Sequence, residues 1–304
     1  MRAILLLDDP LPDRARLADE LRARGFEACW PEAPAREVEA LLTVTQPVSA
    51  ELLEAHPALK LVCVAFTGFD HVDREGCRAR GISVCNVPEY ATAATAELAL
   101  GLALALLRGI PRADRRLHAL EWRPQAGGEL RGRTVGILGT GRIGCHAARL
   151  FQAFGARVIG WSRRASAEFE ELGGTRVEAL GELLAASDLV SLHLPLTEQT
   201  RGILGAGELA RMRQAALLVN VARGALVDAQ ALHAALRKGA IGGAALDVYE
   251  REPFAGDPPF QELENVILLP HLGFRTREAL AQRWSVTLEN LGGFFRGQAR
   301  NLVA

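Results

Sequence analysis

The run Thr134-Val135-Gly136-Ile137-Leu138-Gly139-Thr140-Gly141-Arg142-Ile143-Gly144 constrains this chain more than any other segment. A short β-branched and apolar stretch, the pattern of a buried strand, leads straight into G-x-G-x-x-G. Apolar residues then recur at helical spacing (Ile143, Ala147, Leu150, Phe151, Phe154) until Gly155 closes the segment. The glycines divide the work. Gly139 permits the tight turn, Gly141 lets a pyrophosphate approach the backbone, and Gly144 lets helix and strand pack closely. The helix start presents free N–H groups and a positive dipole end, which favour a diphosphate. G-x-G-x-x-G alone is a weak signal. The strand before it and the helix after it make dinucleotide binding the stronger reading over a merely structural glycine turn.

At 304 residues the chain is long enough for about two domains. A hydrophobic content of 49% with 23% charged residues is that of an ordinary globular protein. A net charge of −1 gives no reason to expect nucleic acid or an anionic membrane as a partner. The apolar start at 3–7 is broken by Asp8 and Asp9, so it reads as a strand and not as a signal peptide. No segment approaches the ~20 apolar residues of a membrane span. The five cysteines contain no C-x-x-C pair and indicate neither a disulfide framework nor a metal site. Cytoplasmic residence is the expectation.

Short apolar runs alternate with helical stretches along the first third. Strands are expected at 3–7, 26–30, 41–44, 61–65 and 82–85, and Asp13 is placed to cap the helix carrying Leu17 and Leu21. This is the pattern of a β/α layer fold with a parallel sheet. The segment 92–108 reads as one long helix, apolar on so many sides that it must be buried between layers or subunits. Residues 121–133 read as a connector. The alternation then restarts, with strands expected at 157–161, 189–193, 216–219, 244–246 and 266–269, and a long amphipathic helix at 276–295.

Three polar groups follow apolar strands in the second half, where open α/β sheets bind ligands. They are Arg223 in Leu218-Val219-Asn220-Val221-Ala222-Arg223-Gly224, Glu252 in Asp247-Val248-Tyr249-Glu250-Arg251-Glu252-Pro253, and His271 after Leu268-Leu269-Pro270. Reduction of a 2-oxo acid needs a cation for the carboxylate and carbonyl, an acid for the developing alkoxide, and a carboxylate that keeps that acid charged. Taken singly, each residue has an ordinary alternative: a surface ion pair, a solvated loop charge, a core histidine. Spacing alone does not decide between them.

These segments resemble the D-isomer-specific 2-hydroxyacid dehydrogenase family, and the resemblance extends from about Leu41 onward. Leu194-Pro195-Leu196-Thr197 with Thr200-Arg201-Gly202 resembles its P-L-T-x-x-T-R/K-x stretch. Asn220 to Asp228 resembles N-x-x-R-G-x-x-V-D, Asp247 to Pro253 resembles D-V-F/Y-x-x-E-P, and Pro270-His271 resembles its P-H signature. The resemblance implies that Arg223 binds the substrate carboxylate and carbonyl, that His271 is the general acid/base, and that Glu252 pairs with His271 and favours its imidazolium. Thr67 and Gly68, in Ala65-Phe66-Thr67-Gly68-Phe69-Asp70, would receive the substrate carboxylate on their N–H groups. Gly139, Gly141, Arg142, Ile143, Gly144, Pro195 and Val221 would contact the dinucleotide, and Asp247 the nicotinamide carboxamide. Departures are small. Leu269 stands where threonine is usual, and Phe274, where a small residue is common, is expected to narrow the site. His193 reads as structural, with a place near the cofactor as the alternative; Trp122 reads equally as a subunit contact or a substrate neighbour.

The resemblance also implies the architecture: a Rossmann dinucleotide-binding domain at 99–282 and a smaller flavodoxin-like β/α substrate domain at 1–98, rejoined by 283–304, with the active site between them. The cofactor expected is NADP(H), with NAD(H) possible. After the strand at 157–161, Ser162 stands where an NAD-specific domain carries an acid, and Arg163 and Arg164 follow. Serine removes a repulsion of the 2′-phosphate, and the arginines can supply charge-assisted hydrogen bonds. The expected activity is reduction of a small 2-oxo acid such as glyoxylate or hydroxypyruvate by a homodimer. Phosphoglycerate would call for basic residues that 38–59 lacks. Phosphite-oxidising relatives carry lysine at the place of Thr67, and formate-oxidising ones pair the histidine with glutamine where Glu252 stands. The alternative is a dinucleotide-sensing binding protein of corepressor type without turnover.

Overall fold

The structure, a computed structural model, describes residues 1–8, 13–33, 37–254 and 260–303. Its backbone contacts divide the chain into two units, one made of the first 91 residues together with the chain from Arg277 on, the other of Thr92–Thr276.

The first unit is built on a five-stranded parallel sheet. In chain order its strands are β1 (Arg2–Leu6), β2 (Phe26–Cys29), β3 (Val38–Thr43), β4 (Leu61–Val64) and β5 (Ser83–Cys85), arranged β2-β1-β3-β4-β5. This is the order of flavodoxin-like sheets. All four residues of β4 are buried, as a strand covered on both faces requires. β3 starts three residues before the expected run at 41–44, because Glu39 interrupts the apolar pattern; its carboxylate meets the Lys60 ammonium at 2.7 Å. In the helix Arg14–Arg22, Asp13 caps the amides of Ala15 and Arg16, and Leu17 and Leu21, one turn apart, are fully buried. The returning helix, Arg277–Phe295, is tied into this unit by polar contacts. Asn290 donates to the Asn86 carbonyl at 2.8 Å, and the Trp284 indole N–H donates to Glu20 at 2.5 Å.

The second unit carries a seven-stranded parallel sheet. Its strands are β6 (Thr134–Leu138), β7 (Arg157–Trp161), β8 (Thr175–Arg176), β9 (Leu189–Leu192), β10 (Leu217–Asn220), β11 (Gly243–Leu246) and β12 (Val266–Leu268), arranged β12-β11-β10-β9-β6-β7-β8. The chain moves outward from β6 through β8, then returns to β9 on the other side of β6. That reversal opens a crevice at the carboxyl ends of β6 and β9, the place where ligands enter open α/β sheets.

The alanine-rich helix Thr92–Arg108 belongs wholly to this unit, and Ala96, Ala99, Leu102, Ala103 and Leu107 pack with Val135, Ile137, Val219 and Ala245 of the sheet. The divisions expected at 98/99 and 282/283 therefore move to 91/92 and 276/277. Each expected break fell inside a helix. A helix is a continuous hydrogen-bonded rod whose apolar face is buried as a whole, so it goes entire to one unit. Some elements were illegible in the sequence, among them a short strand and a surface helix. β8 is only two residues long, and the helix Ile110–His118 leaves Ile110 and Leu117 about half exposed, so its pattern does not report a core face. Among the described residues, no single helix is long and apolar enough to cross a membrane.

Candidate active site

β6 ends at Leu138, and Gly139 follows at φ +105°, a conformation that a side chain would strain. A β-carbon there would also lie 2.7 Å from the His193 main chain. A β-carbon on Gly144 would fall 1.9 Å from the Gly139 carbonyl oxygen, so the first turn of the helix Arg142–Ala153 sits directly on the strand end. Gly141 is the reverse case: its β-carbon position meets nothing within 4 Å, and no side chain caps the helix it starts. An uncapped helix start under open space fits the pyrophosphate of a dinucleotide. Arg142 is exposed on that first turn and Ile143 half-buried.

The end of β7 lies beside this turn. The Gly139 amide donates to the Trp161 carbonyl at 2.8 Å. The Ser162 hydroxyl donates to the Arg164 carbonyl at 2.6 Å and lies 2.6 Å from the Thr140 hydroxyl, which is therefore the donor in that pair. Arg163 and Arg164 are exposed and form no ion pair among the described residues. After β9, Pro195 is exposed. Val221, after β10, has its side chain buried in the apolar layer, so it offers a ligand only main chain. His193, also after β9, holds the Ser191 hydroxyl with Nε2 at 2.9 Å; its Nδ1 is buried without a hydrogen-bond partner among the described residues. Burial pushes this imidazole down to about 4.

A second cluster forms where β10, β11 and β12 end. Asn220, the last residue of β10, is fully buried. Its side chain accepts the Ala222 amide at 3.1 Å and donates to the Arg223 carbonyl at 2.9 Å, fixing the turn that carries Arg223. Gly224 lets this turn press against the next loop, since a β-carbon there would lie 2.0 Å from the Tyr249 carbonyl carbon. The sequence reading gave Asn220 no role. The available signal was a buried amide at the end of an apolar strand, three residues before the arginine.

Glu252 bridges outward from that loop. One carboxylate oxygen accepts the Tyr249 amide at 2.7 Å, and the other meets His271 Nδ1 at 2.5 Å. An ionised carboxylate only accepts, so Nδ1 carries the proton of this hydrogen bond. Burial alone would raise the Glu252 carboxyl. The hydrogen bond and charge of His271, the Tyr249 amide and the Arg223 charge outweigh it, and the group sits below the ordinary range. Asp247 is fully buried and accepts the Leu272 amide at 2.6 Å and the Gly273 amide at 2.7 Å. Burial pushes its carboxyl upward, opposed by those amides and by His271. Phe274 packs edge-on to the His271 ring, centroids 5.3 Å apart, and is itself 7% exposed. It is thus a neighbour of the imidazole and not a plug standing free in solvent.

Arg223, Glu252, His271 and Asp247 are therefore brought to one end of the second unit's sheet. Thr67 and Gly68 lie in the first unit, directly after β4. The Thr67 hydroxyl donates to the Val87 carbonyl at 3.1 Å and its carbonyl accepts from Asn86 at 2.8 Å. Their own amides donate to no group among the described residues.

Comparison with known proteins is consistent across most of the chain. The pattern of the D-isomer specific 2-hydroxyacid dehydrogenase family, NAD binding domain, matches residues 100–273. A glyoxylate reductase of Aeropyrum pernix is 42% identical over 280 residues, covering 88% of this chain and 84% of that one. The solved structure of an NADPH-dependent glyoxylate/hydroxypyruvate reductase from Sinorhizobium meliloti, in complex with NADP and malonate, is 32% identical; it superimposes with a TM-score of 0.91 over 100% of this chain and 97% of that one. A D-lactate dehydrogenase from Aquifex aeolicus, solved with NAD and lactic acid, is 28% identical with a TM-score of 0.90 over 99% of both chains.

Proposed function

Since the chain belongs to the D-isomer-specific 2-hydroxyacid dehydrogenase family, and is an oxidoreductase using a nicotinamide dinucleotide, we propose that it reduces glyoxylate and hydroxypyruvate with NADPH in preference to NADH. The product is the D-2-hydroxy acid where it is chiral. The observation that carries this reading is the hydrogen bond between Glu252 and His271 Nδ1 beside Arg223.

In this reading the Arg223 fork meets the substrate carboxylate and carbonyl together, as a planar guanidinium can and an ammonium cannot. The amides of Thr67 and Gly68 receive the carboxylate. Bound NAD(P)H supplies the hydride. His271 Nε2 gives its proton to the developing alkoxide, while Glu252 holds the imidazolium at Nδ1. Gly139, Gly141, Gly144, Arg142 and Ile143 would hold the diphosphate, Pro195 and Val221 would contact the dinucleotide, and Asp247 would accept from the carboxamide.

Cofactor preference rests on the end of β7. A 2′-phosphate carries about −1.5 to −2 charges by analogy with protein phosphates. Ser162 places no carboxylate against it, and Arg163 and Arg164 stand exposed without competing ion pairs among the described residues. Steady-state kinetics with both cofactors test this. The expected result is a higher kcat/KM with NADPH, eroded in Arg163→Ala with Arg164→Ala; equal or better use of NADH overturns the preference and leaves the dehydrogenase assignment standing.

The same proposal includes a homodimer resident in the cytoplasm. Leu120 and Trp122 are 92% and 82% exposed, close in sequence to half-exposed Ile110 and Leu117. Large apolar side chains exposed within one short segment are suited to a contact surface. A second copy is the proposed occupant. Light scattering should return twice 32.7 kDa, and Trp122→Asp should shift the mass toward the monomer.

A further inference from the structure

His271 stands at φ +55°, in the left-handed region that residues with a β-carbon enter at a cost. Something must hold it there. Three successive amides converge on one residue: His271 N–H donates to the Asp247 carbonyl at 2.8 Å, Leu272 N–H to one Asp247 carboxylate oxygen at 2.6 Å, and Gly273 N–H to the other at 2.7 Å. A left-handed residue followed by amides aimed at an anion is the nest that proteins use to bind small anions. Here the anion belongs to the chain itself. Each carboxylate oxygen accepts one amide, as an ionised carboxylate does, so both bonds are charge-assisted, and burial shields them from water. The Thr95 hydroxyl donates to the Gly273 carbonyl at 3.0 Å, pinning the end of the same turn.

An ionised carboxylate offers about four lone-pair directions. The turn uses two. Contact with a nicotinamide carboxamide therefore leaves this second task untouched, and the two are separable by experiment. We propose that Asp247 is a positioning residue for the catalytic imidazole: by closing the turn at 271–273 it sets the His271 ring where Nδ1 reaches Glu252. The inference rests on the reading of His271 as proton donor.

Asp247→Asn tests it, because asparagine keeps the shape but supplies one acceptor for two amides and turns an N–H toward the other. In the cofactor-free protein, the low-field proton signal of His271 Nδ1–H is assigned by its loss in His271→Ala. That signal should shift or broaden in Asp247→Asn. Turnover should fall roughly 10²-fold, the cost of a misplaced catalytic group. Thr95→Val provides the same test at lower risk to folding, with the same signal perturbed and turnover reduced several-fold. An unmoved His271 signal in both variants, with NADPH affinity lost in Asp247→Asn, overturns the proposal and leaves Asp247 a cofactor ligand alone. Should His271→Ala keep its turnover, the proton-donor reading fails instead, and the signal still reports whether Asp247 holds the ring.

Discussion

The glycine turn after β6 and the polar cluster after β10, β11 and β12 share one sheet but are built in opposite ways. In the turn, the backbone is fixed by contacts that exclude a β-carbon at Gly139 and Gly144, while the side chains that would choose between cofactors, Arg163 and Arg164, stand exposed. In the cluster, the side chains are the fixed parts. Asn220 holds the Arg223 turn, Glu252 is spanned between Tyr249 and His271, and Asp247 is closed on by three amides. Proton transfer demands atoms placed within a fraction of an ångström. Attraction between a phosphate and arginines tolerates mobile stems, since charge acts over longer distances. Among the strand ends of one sheet, the polar cluster is organised for geometry and the glycine turn for shape and charge.

That contrast is broken most sharply by removing the proton donor. His271→Ala should lower turnover roughly 10²–10⁴-fold, the usual range for a lost general acid, with dinucleotide affinity unchanged by titration. Loss of affinity of the same size would mean that the two ends are one coupled structure.

Gly144→Ala is the converse case. A methyl group 1.9 Å from the Gly139 carbonyl oxygen cannot be seated without moving the turn. Dinucleotide affinity should fall at least ~10-fold, a loss of roughly 1.4 kcal/mol, together with a lower melting temperature. Normal affinity would show that the turn gives way.

The two ends also differed in how far the sequence exposed them. The turn is local: strand, three glycines and helix follow one another within a few residues, and each glycine's task can be argued from its spacing. The cluster is not local. Arg223, Glu252 and His271 meet only because β10, β11 and β12 are neighbours in register, and residue spacing left each with an ordinary alternative. Family resemblance, and not periodicity, singled them out. What neither could supply was the buried support. The tie from Asn220 to the Arg223 carbonyl and the convergence of three amides on Asp247 depend on loop conformations such as the left-handed His271, for which a histidine gives no sequence signal.

Smaller effects refine the comparison. The Glu252 carboxyl lies below its ordinary range through its bond to His271, against the pull of burial. Glu252→Gln removes that charge from beside Nδ1, so the pH–rate profile of reduction should move to lower pH. A pH–rate profile that keeps its position sinks the pairing.

At the other end, His193 is held neutral by burial, down to about 4 against an unfolded value of ~6.5. Above the unfolded value neither state binds the extra proton and the group is silent. Between these values the unfolded chain is protonated and the folded one is not. Stability is therefore lost as pH falls from ~6.5 toward 4, at up to ~1.4 kcal/mol per unit. Urea unfolding across that window should be flatter for His193→Gln than for wild type; equal slopes would mean that His193 charges freely in the folded protein.

The account stands or falls on turnover. NADPH oxidation by the wild-type protein should be followed spectrophotometrically with glyoxylate, then with hydroxypyruvate, each beside His271→Ala. Rapid, saturable, substrate-dependent oxidation that collapses in the variant is the predicted result. A wild-type protein that binds NADPH and turns over neither 2-oxo acid would contradict it, and would leave a cluster arranged for proton transfer in a protein that only senses the dinucleotide.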